Sequence, residues 1–284
     1  MQFHSFQVPQ PAGSCHGDCR LPATPKKLPA LAFLPDLCFT KAYGFYPWLR
    51  ERLAARSLCL GIDGGLPFRE EAEDLARRAA EYTLSREIAA WMATFRALFR
   101  GDLPGADSWD RENLAILGHG KGAALALHLD RRLRAEGRPA PQALVLLCPP
   151  RTLVRQGGEG GMDRVEVSLD DARTVVLHGP FLEDARRLAR LASLVELVAT
   201  TPARLLVLAA EEDRVFPVTE AEDLVKAAES SRVRLLLLEE TGHFLGSGHP
   251  FEGPTPALSA ALAAIERFLD ERFGSGDTEA DPET

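Results

Sequence analysis

The stretch Leu114-Ala115-Ile116-Leu117-Gly118-His119-Gly120-Lys121-Gly122-Ala123-Ala124-Leu125-Ala126-Leu127-His128 decides the fold. Leu114 to Leu117 is a short continuous apolar run, the pattern of a strand buried on both faces. A glycine-dense stretch follows, and glycine permits the tight backbone approach of a sharp turn. The alanine- and leucine-rich run beyond it favours a helix. Strand, sharp turn and helix with glycines at Gly118 and Gly122 match the G-x-S-x-G arrangement that presents a serine nucleophile. The serine position is Gly120, which has no side chain. The turn is present and its reactive atom is absent.

Working outward, apolar runs at Ala30–Leu34, Leu58–Ile62, Gln142–Cys148, Arg204–Ala209 and Val233–Leu238 read as further strands. Between them, helices are expected over Tyr46–Arg56, over 69–100 with a stripe of Ile88, Trp91 and Phe95, and over Leu182–Leu197. Residues 101–112 are expected to loop into the central strand. Thr219 and Glu222 have capping-box spacing, and Thr255-Pro256 opens a last helix that Gly274 stops. Alternation about Pro9–Gly13 predicts an antiparallel hairpin from 3–8 and 13–20. Strands alternating with helices imply an α/β fold with a mostly parallel sheet covered on both faces. Residues 151–200 interrupt that rhythm and read as an insertion. No second domain is visible, so 1–274 is expected to form one domain, with 275–284 a disordered acidic tail.

The chain has 284 residues, 45% of them hydrophobic, enough for a full core. A net charge of −8 argues against a nucleic-acid partner, which needs a basic face. No run approaches the ~20 apolar residues of a membrane span. Met1–Ser5 does not open a signal peptide, so a cytoplasmic location is expected. The five cysteines are an odd count. Cys15 and Cys19 flank His16 without the second ligand pair of a zinc site, so neither a metal nor a cofactor is expected. The oligomeric state is not readable.

Reactive groups in such a sheet sit at the carboxyl ends of strands. Three of these ends carry, in order, Gly118–Gly122, Glu211–Pro217 and Thr241-Gly242-His243-Phe244. Turn, acid and histidine follow the chain order of the α/β-hydrolase triad. With these motifs and Gly246-Ser247-Gly248-His249-Pro250-Phe251, the sequence resembles the α/β-hydrolases over nearly its whole length. Within them it is most similar to dienelactone-hydrolase-like and prolyl-oligopeptidase-like esterases. The resemblance implies Asp213 as the acid, His243 as the base and Gly120 at the nucleophile position.

A second departure lies after the first buried strand. The family usually has His-Gly there, opening the oxyanion loop; this chain has Pro35-Asp36. Backbone donors from Leu37 and Lys121 remain available, but an inward Asp36 carboxylate would repel a developing negative charge. Losing one oxyanion donor alone costs about 3–4 kcal/mol in barrier.

No other residue is an obvious replacement nucleophile. His119 is expected to pack, and the Lys121 side chain to leave the turn in another direction. Cys38 and Cys148 read as small buried residues and Ser247 as a turn residue, while His178 and His249 have no assignable partner. An engineered serine knockout would not account for Pro35-Asp36. The expected function is an atypical or catalytically silent esterase-like protein that binds a small apolar or acyl ligand. The alternative is an active hydrolase of small esters or carbonyl compounds, using a water activated by His243 and Asp213.

Overall fold

A computed structural model describes residues 1–10, 13–23, 27–37, 39–63, 79–153, 165–168, 174–177 and 179–274. Its strands are β1 Gln2–Gln10, β2 Gly13–Leu21, β3 Leu28–Leu34, β4 Leu58–Ile62, β5 Trp109–His119, β6 Ala143–Leu147, β7 Val165–Ser168, β8 Thr174–Leu177, β9 Arg204–Ala210 and β10 Val233–Leu238. The helices are α1 Tyr46–Leu53, α2 Leu84–Arg100, α3 Lys121–Ala135, α4 Gly179–Leu191, α5 Leu194–Thr200, α6 Val218–Ala227 and α7 Pro256–Phe273. Eight strands form one sheet in the order β1-β2-β4-β3-β5-β6-β9-β10, and β7 and β8 form a separate hairpin. β1 and β2 pair antiparallel, as do β2 and β4; every other pair in the large sheet is parallel. This is the α/β-hydrolase architecture.

The apolar runs account for the layers. β4 and β6 are buried along their full length, as strands covered on both faces must be. One connected apolar cluster extends from Phe6 to Leu269. Trp91 lies fully buried in it, as its place in the helical stripe requires.

Several boundaries differ from the sequence reading. β5 begins at Trp109, inside the expected 101–112 loop, because Trp109 pairs with Leu28 across a register shift. The expected 69–100 helix is interrupted: α2 starts at Leu84 behind the cap Thr83, and residues 64–78 lie outside the described residues. Leu182–Leu197 is two helices, divided where Ser193 and Glu196 form a capping box. Thr219 caps nothing; it lies inside α6, whose cap position is Pro217. The proline fixes φ and ends the preceding loop, which moves the helix start ahead of the threonine. Thr255 does cap α7, accepting the Leu258 N–H at 3.1 Å. Cys38, His178 and the 275–284 tail lie outside the described residues.

The sheet order positions the site. From β3 the chain crosses to β4 on one side, and from β5 to β6 on the other. The loops after β3 and β5 therefore leave neighbouring strands in opposite directions, the crevice where α/β sheets bind ligands. The turn after β5 is as tight as its glycines suggest. A Cβ on Gly122 would lie 2.3 Å from the Leu34 carbonyl oxygen. No rotamer change relieves a backbone clash, so Gly122→Ala is expected to cost at least about 3 kcal/mol. Chemical denaturation of the purified variant checks this.

Candidate functional site

Register brings two residues together that are far apart in sequence. Leu34 of β3 lies beside Gly118 of β5. Two residues beyond each partner come Asp36 and Gly120. Gly120 has φ +52° and ψ −120°, a conformation that glycine adopts without strain. A Cβ built there would lie 2.2 Å from Asp36 Oδ1, 2.3 Å from Cγ and 2.7 Å from Oδ2. The Asp36 carboxylate thus fills the space where the nucleophile side chain would begin.

Its oxygens take the partners a serine hydrolase reserves for chemistry. The Lys121 N–H, one of the expected oxyanion donors, bonds to Asp36 Oδ1 at 2.6 Å. The Leu37 N–H, the other, also turns onto this carboxylate. His243 Nε2 donates to Asp36 Oδ2 at 2.9 Å, and His243 Nδ1 donates to Asp213 Oδ2 at 2.7 Å. Asp213 Oδ1 in turn accepts the Val215 and Phe216 N–H groups at 2.7 and 2.8 Å. Asp36, Asp213 and His243 are all buried.

A carboxylate on each ring nitrogen requires a proton on each, so His243 is an imidazolium. Burial alone would favour its neutral form; the hydrogen bonds to Asp213 and Asp36 outweigh burial and hold its pKa far above the usual histidine range. Burial would likewise push Asp36 up, but the hydrogen bond and charge of His243 hold it well below the usual carboxylate range. Asp213 is lowered by the same partner against its own burial.

A neutral network supports this ionic one. The Asp36 N–H donates to Tyr46 Oη at 3.3 Å, and Tyr46 O–H donates to His119 Nδ1 at 2.7 Å. His119 Nε2–H then donates to the His243 carbonyl at 2.9 Å. Burial, reinforced by the charge on His243, pushes the His119 pKa down to about 4, matching the neutral tautomer that these bonds require. The Lys121 side chain leaves the turn and meets Glu87 at 2.7 Å in a buried ion pair that Tyr82 joins. Farther along the loop after β3, Lys41 pairs with Asp18 and Asp63, and Arg50 of α1 pairs with the same Asp18. These ties anchor the segment that carries Asp36.

The other candidates have different places. Cys148, at the end of β6, is buried with φ +46° and contacts His243. Donor atoms of His119, Cys148 and His243 lie within 4.8 Å of one another. Both nitrogens of each imidazole are already hydrogen-bonded, and the rings stack at 26°, so their lone pairs do not converge on a metal position. His249 Nδ1 accepts the Gly44 N–H at 3.2 Å and stacks on Tyr43. Ser247 Oγ is buried with no partner among the described residues. No site role for Tyr46 or Glu87 and no Cys148–His243 contact is readable in the sequence. Tyr46 there only opens a helix, and no spacing rule links it to His119.

The family model described as alpha/beta hydrolase fold matches residues 76–246, more than half of the chain. No protein with curated annotation matches it. Among solved structures, Est1E from Butyrivibrio proteoclasticus is 16% identical, with a TM-score of 0.68, covering 95% of this chain and 99% of that one. The same esterase with ferulic acid bound is 15% identical, with a TM-score of 0.70, covering 95% of this chain and all of that one (100%). Dienelactone hydrolase from Anabaena variabilis is 17% identical, with a TM-score of 0.62, covering 95% and 97%. Sheet order, the turn at Gly118–Gly122 and the family match agree: this chain belongs to the alpha/beta hydrolase fold family.

Proposed function

We propose that this protein is an atypical esterase-like hydrolase that does not turn over carboxylic esters by acyl transfer. One observation carries the reading: the Asp36 carboxylate stands over Gly120 and bonds to both His243 Nε2 and the Lys121 N–H. Acyl transfer needs a nucleophilic oxygen, a neutral imidazole to take its proton and unoccupied oxyanion donors. Here the oxygen is missing, the imidazole is charged and the donors hold a carboxylate.

The same contact disfavours a water activated by His243 and Asp213, because the nitrogen that would accept the water's proton already carries one. The ligand we infer is a small uncharged molecule. Phe216 and Phe244 flank the His243 ring at 5.3 and 5.2 Å, an apolar surround for such a molecule. No helix among the described residues is long and apolar enough to cross a membrane. Free thiols at Cys15, Cys19, Cys59 and Cys148 suit a reducing compartment such as the cytoplasm.

A fluorophosphonate probe and p-nitrophenyl acetate and butyrate test the reading. No labelling and no turnover above a His243→Gln control are expected. Labelling, or ester turnover that His243→Gln abolishes, overturns it.

A further inference from the structure

A second concave site lies at the other end of the sheet. Arg134, Arg138, Arg204, Arg232 and Arg272 line one cavity of about 780 Å³. They come from four separate places: the end of α3 with the loop after it, the first residue of β9, the turn before β10 and the last turn of α7. The cavity therefore lies at the amino ends of β6, β9 and β10, whereas Asp36 and His243 stand beyond the carboxyl ends of β3 and β10. These like charges converge in a chain whose net charge is −8.

Internal pairing accounts for only part of this charge. Arg134 pairs with Asp130 and Arg232 with Glu229, each at 2.8 Å. Arg138, Arg204 and Arg272 have no carboxylate partner among the described residues. Five guanidiniums less two carboxylates leave three uncompensated positive charges around one cavity. Left so, they repel one another, and a bound polyanion removes the repulsion. Helix ends explain two of the five. A cation in the last turn complements the carbonyl end of a helix, which suits Arg134 and Arg272. Arg138, Arg204 and Arg232 lie on no helix. The walls are also fixed. Arg134 donates to the Pro141 carbonyl at 2.8 Å, the Arg204 N–H to the Gln142 carbonyl at 2.9 Å, and the Thr201 hydroxyl to Asp130 at 2.7 Å. These bonds tie the loops ahead of β6 and β9 to α3, so the backbone that carries the arginines is organised in advance of a ligand.

We propose that this cavity binds a small molecule bearing a chain of two or more phosphate groups, at a site separate from the crevice at His243. A guanidinium presents its N–H groups as a planar fork that matches phosphate oxygens. The cavity has the volume of a small-molecule site, roughly 300–1,000 Å³, and not the extended basic face that a nucleic acid needs. A single phosphate is too small to meet guanidiniums on separate loops at once. A di- or triphosphate spans them and brings a negative charge that matches the three uncompensated positive ones. Its binding is independent of whether His243 supports ester turnover.

Isothermal titration calorimetry of the full chain with sodium tripolyphosphate, at about 50 mM salt where screening is modest, tests this. One tripolyphosphate per chain is expected, with a Kd below about 100 μM. Arg138→Gln combined with Arg204→Gln should weaken binding by about 10²-fold, roughly tenfold for each charge-assisted hydrogen bond lost. Both side chains are exposed, so this variant is expected to fold, and circular dichroism verifies it. The control is Arg186→Gln combined with Arg190→Gln, which changes the net charge equally but removes arginines from a different cavity along α4. Its affinity should equal that of wild type. Citrate is compact and has no phosphate to span the loops, so it should bind at least about tenfold more weakly. No binding by wild type at millimolar tripolyphosphate overturns the proposal. So does an equal loss in the two double variants, or citrate binding as tight as tripolyphosphate.

Discussion

Gly120→Ser alone is expected to gain no esterase activity, whereas Gly120→Ser combined with Asp36→Gly is expected to exceed it by about 10³-fold, the scale on which a triad's parts act together. A serine introduced at this position places its Cβ 2.2 Å from Asp36 Oδ1, so the single variant must either displace the carboxylate or push its own backbone aside. Even with the carboxylate displaced, a nearby anion keeps His243 protonated and opposes an oxyanion at the Lys121 N–H. Asp36→Gly alone removes the obstruction but supplies no nucleophile. With both changes, the introduced hydroxyl faces His243, His243 keeps only Asp213 and returns toward neutrality, and the donors are free. Initial rates on p-nitrophenyl butyrate for the two single variants and the double variant check this. Equal rates for Gly120→Ser and the double variant would mean that Asp36 does not block the site.

This interdependence lies in the tertiary structure and leaves only part of its trace in the sequence. The strands, the order turn–acid–histidine and the missing serine are local patterns, visible in Leu114–His128, Glu211–Pro217 and Gly242-His243. Pro35-Asp36 stands out against the family pattern, and an inward carboxylate is recognisable as hostile to an oxyanion. What no local pattern contains is the pairing of Leu34 with Gly118, which sets Asp36 opposite Gly120. Parallel register is fixed by contacts between strands separated by a long crossover, here about 80 residues, so it is a tertiary property. The Tyr46–His119 and Lys121–Glu87 contacts are hidden for the same reason. The Thr219 error differs in kind: a correct capping spacing lost to Pro217 just ahead of it.

His243→Leu is expected to destabilise the protein by about 3–5 kcal/mol, the cost of removing one partner from a buried ion pair. Leucine nearly fills the ring's volume, so the loss is electrostatic: Asp36 and Asp213 are left as buried carboxylates with no cation between them. Asp36→Asn should cost less, about 1–3 kcal/mol, since the amide oxygen still accepts from Lys121 and His243 keeps Asp213. The pH dependence separates this account from simple packing loss. In the wild type the His243 pKa is raised on folding, so its stabilisation is complete below about 6.5 and declines as pH rises toward the folded value. The pKa values of Asp36 and Asp213 are lowered on folding, so their contribution is complete above about 4 and is lost as pH falls through the folded values. Stability from this trio is therefore greatest between about pH 4 and 6.5 and falls on both sides. In His243→Leu, burial raises the carboxylate pKa values in the folded state above those in the unfolded chain, and the acid side reverses sign. As pH falls toward 4, that variant should recover stability relative to wild type. Urea midpoints from pH 3 to 9 decide it. Parallel curves for wild type and His243→Leu would show that no buried ion trio exists at this site.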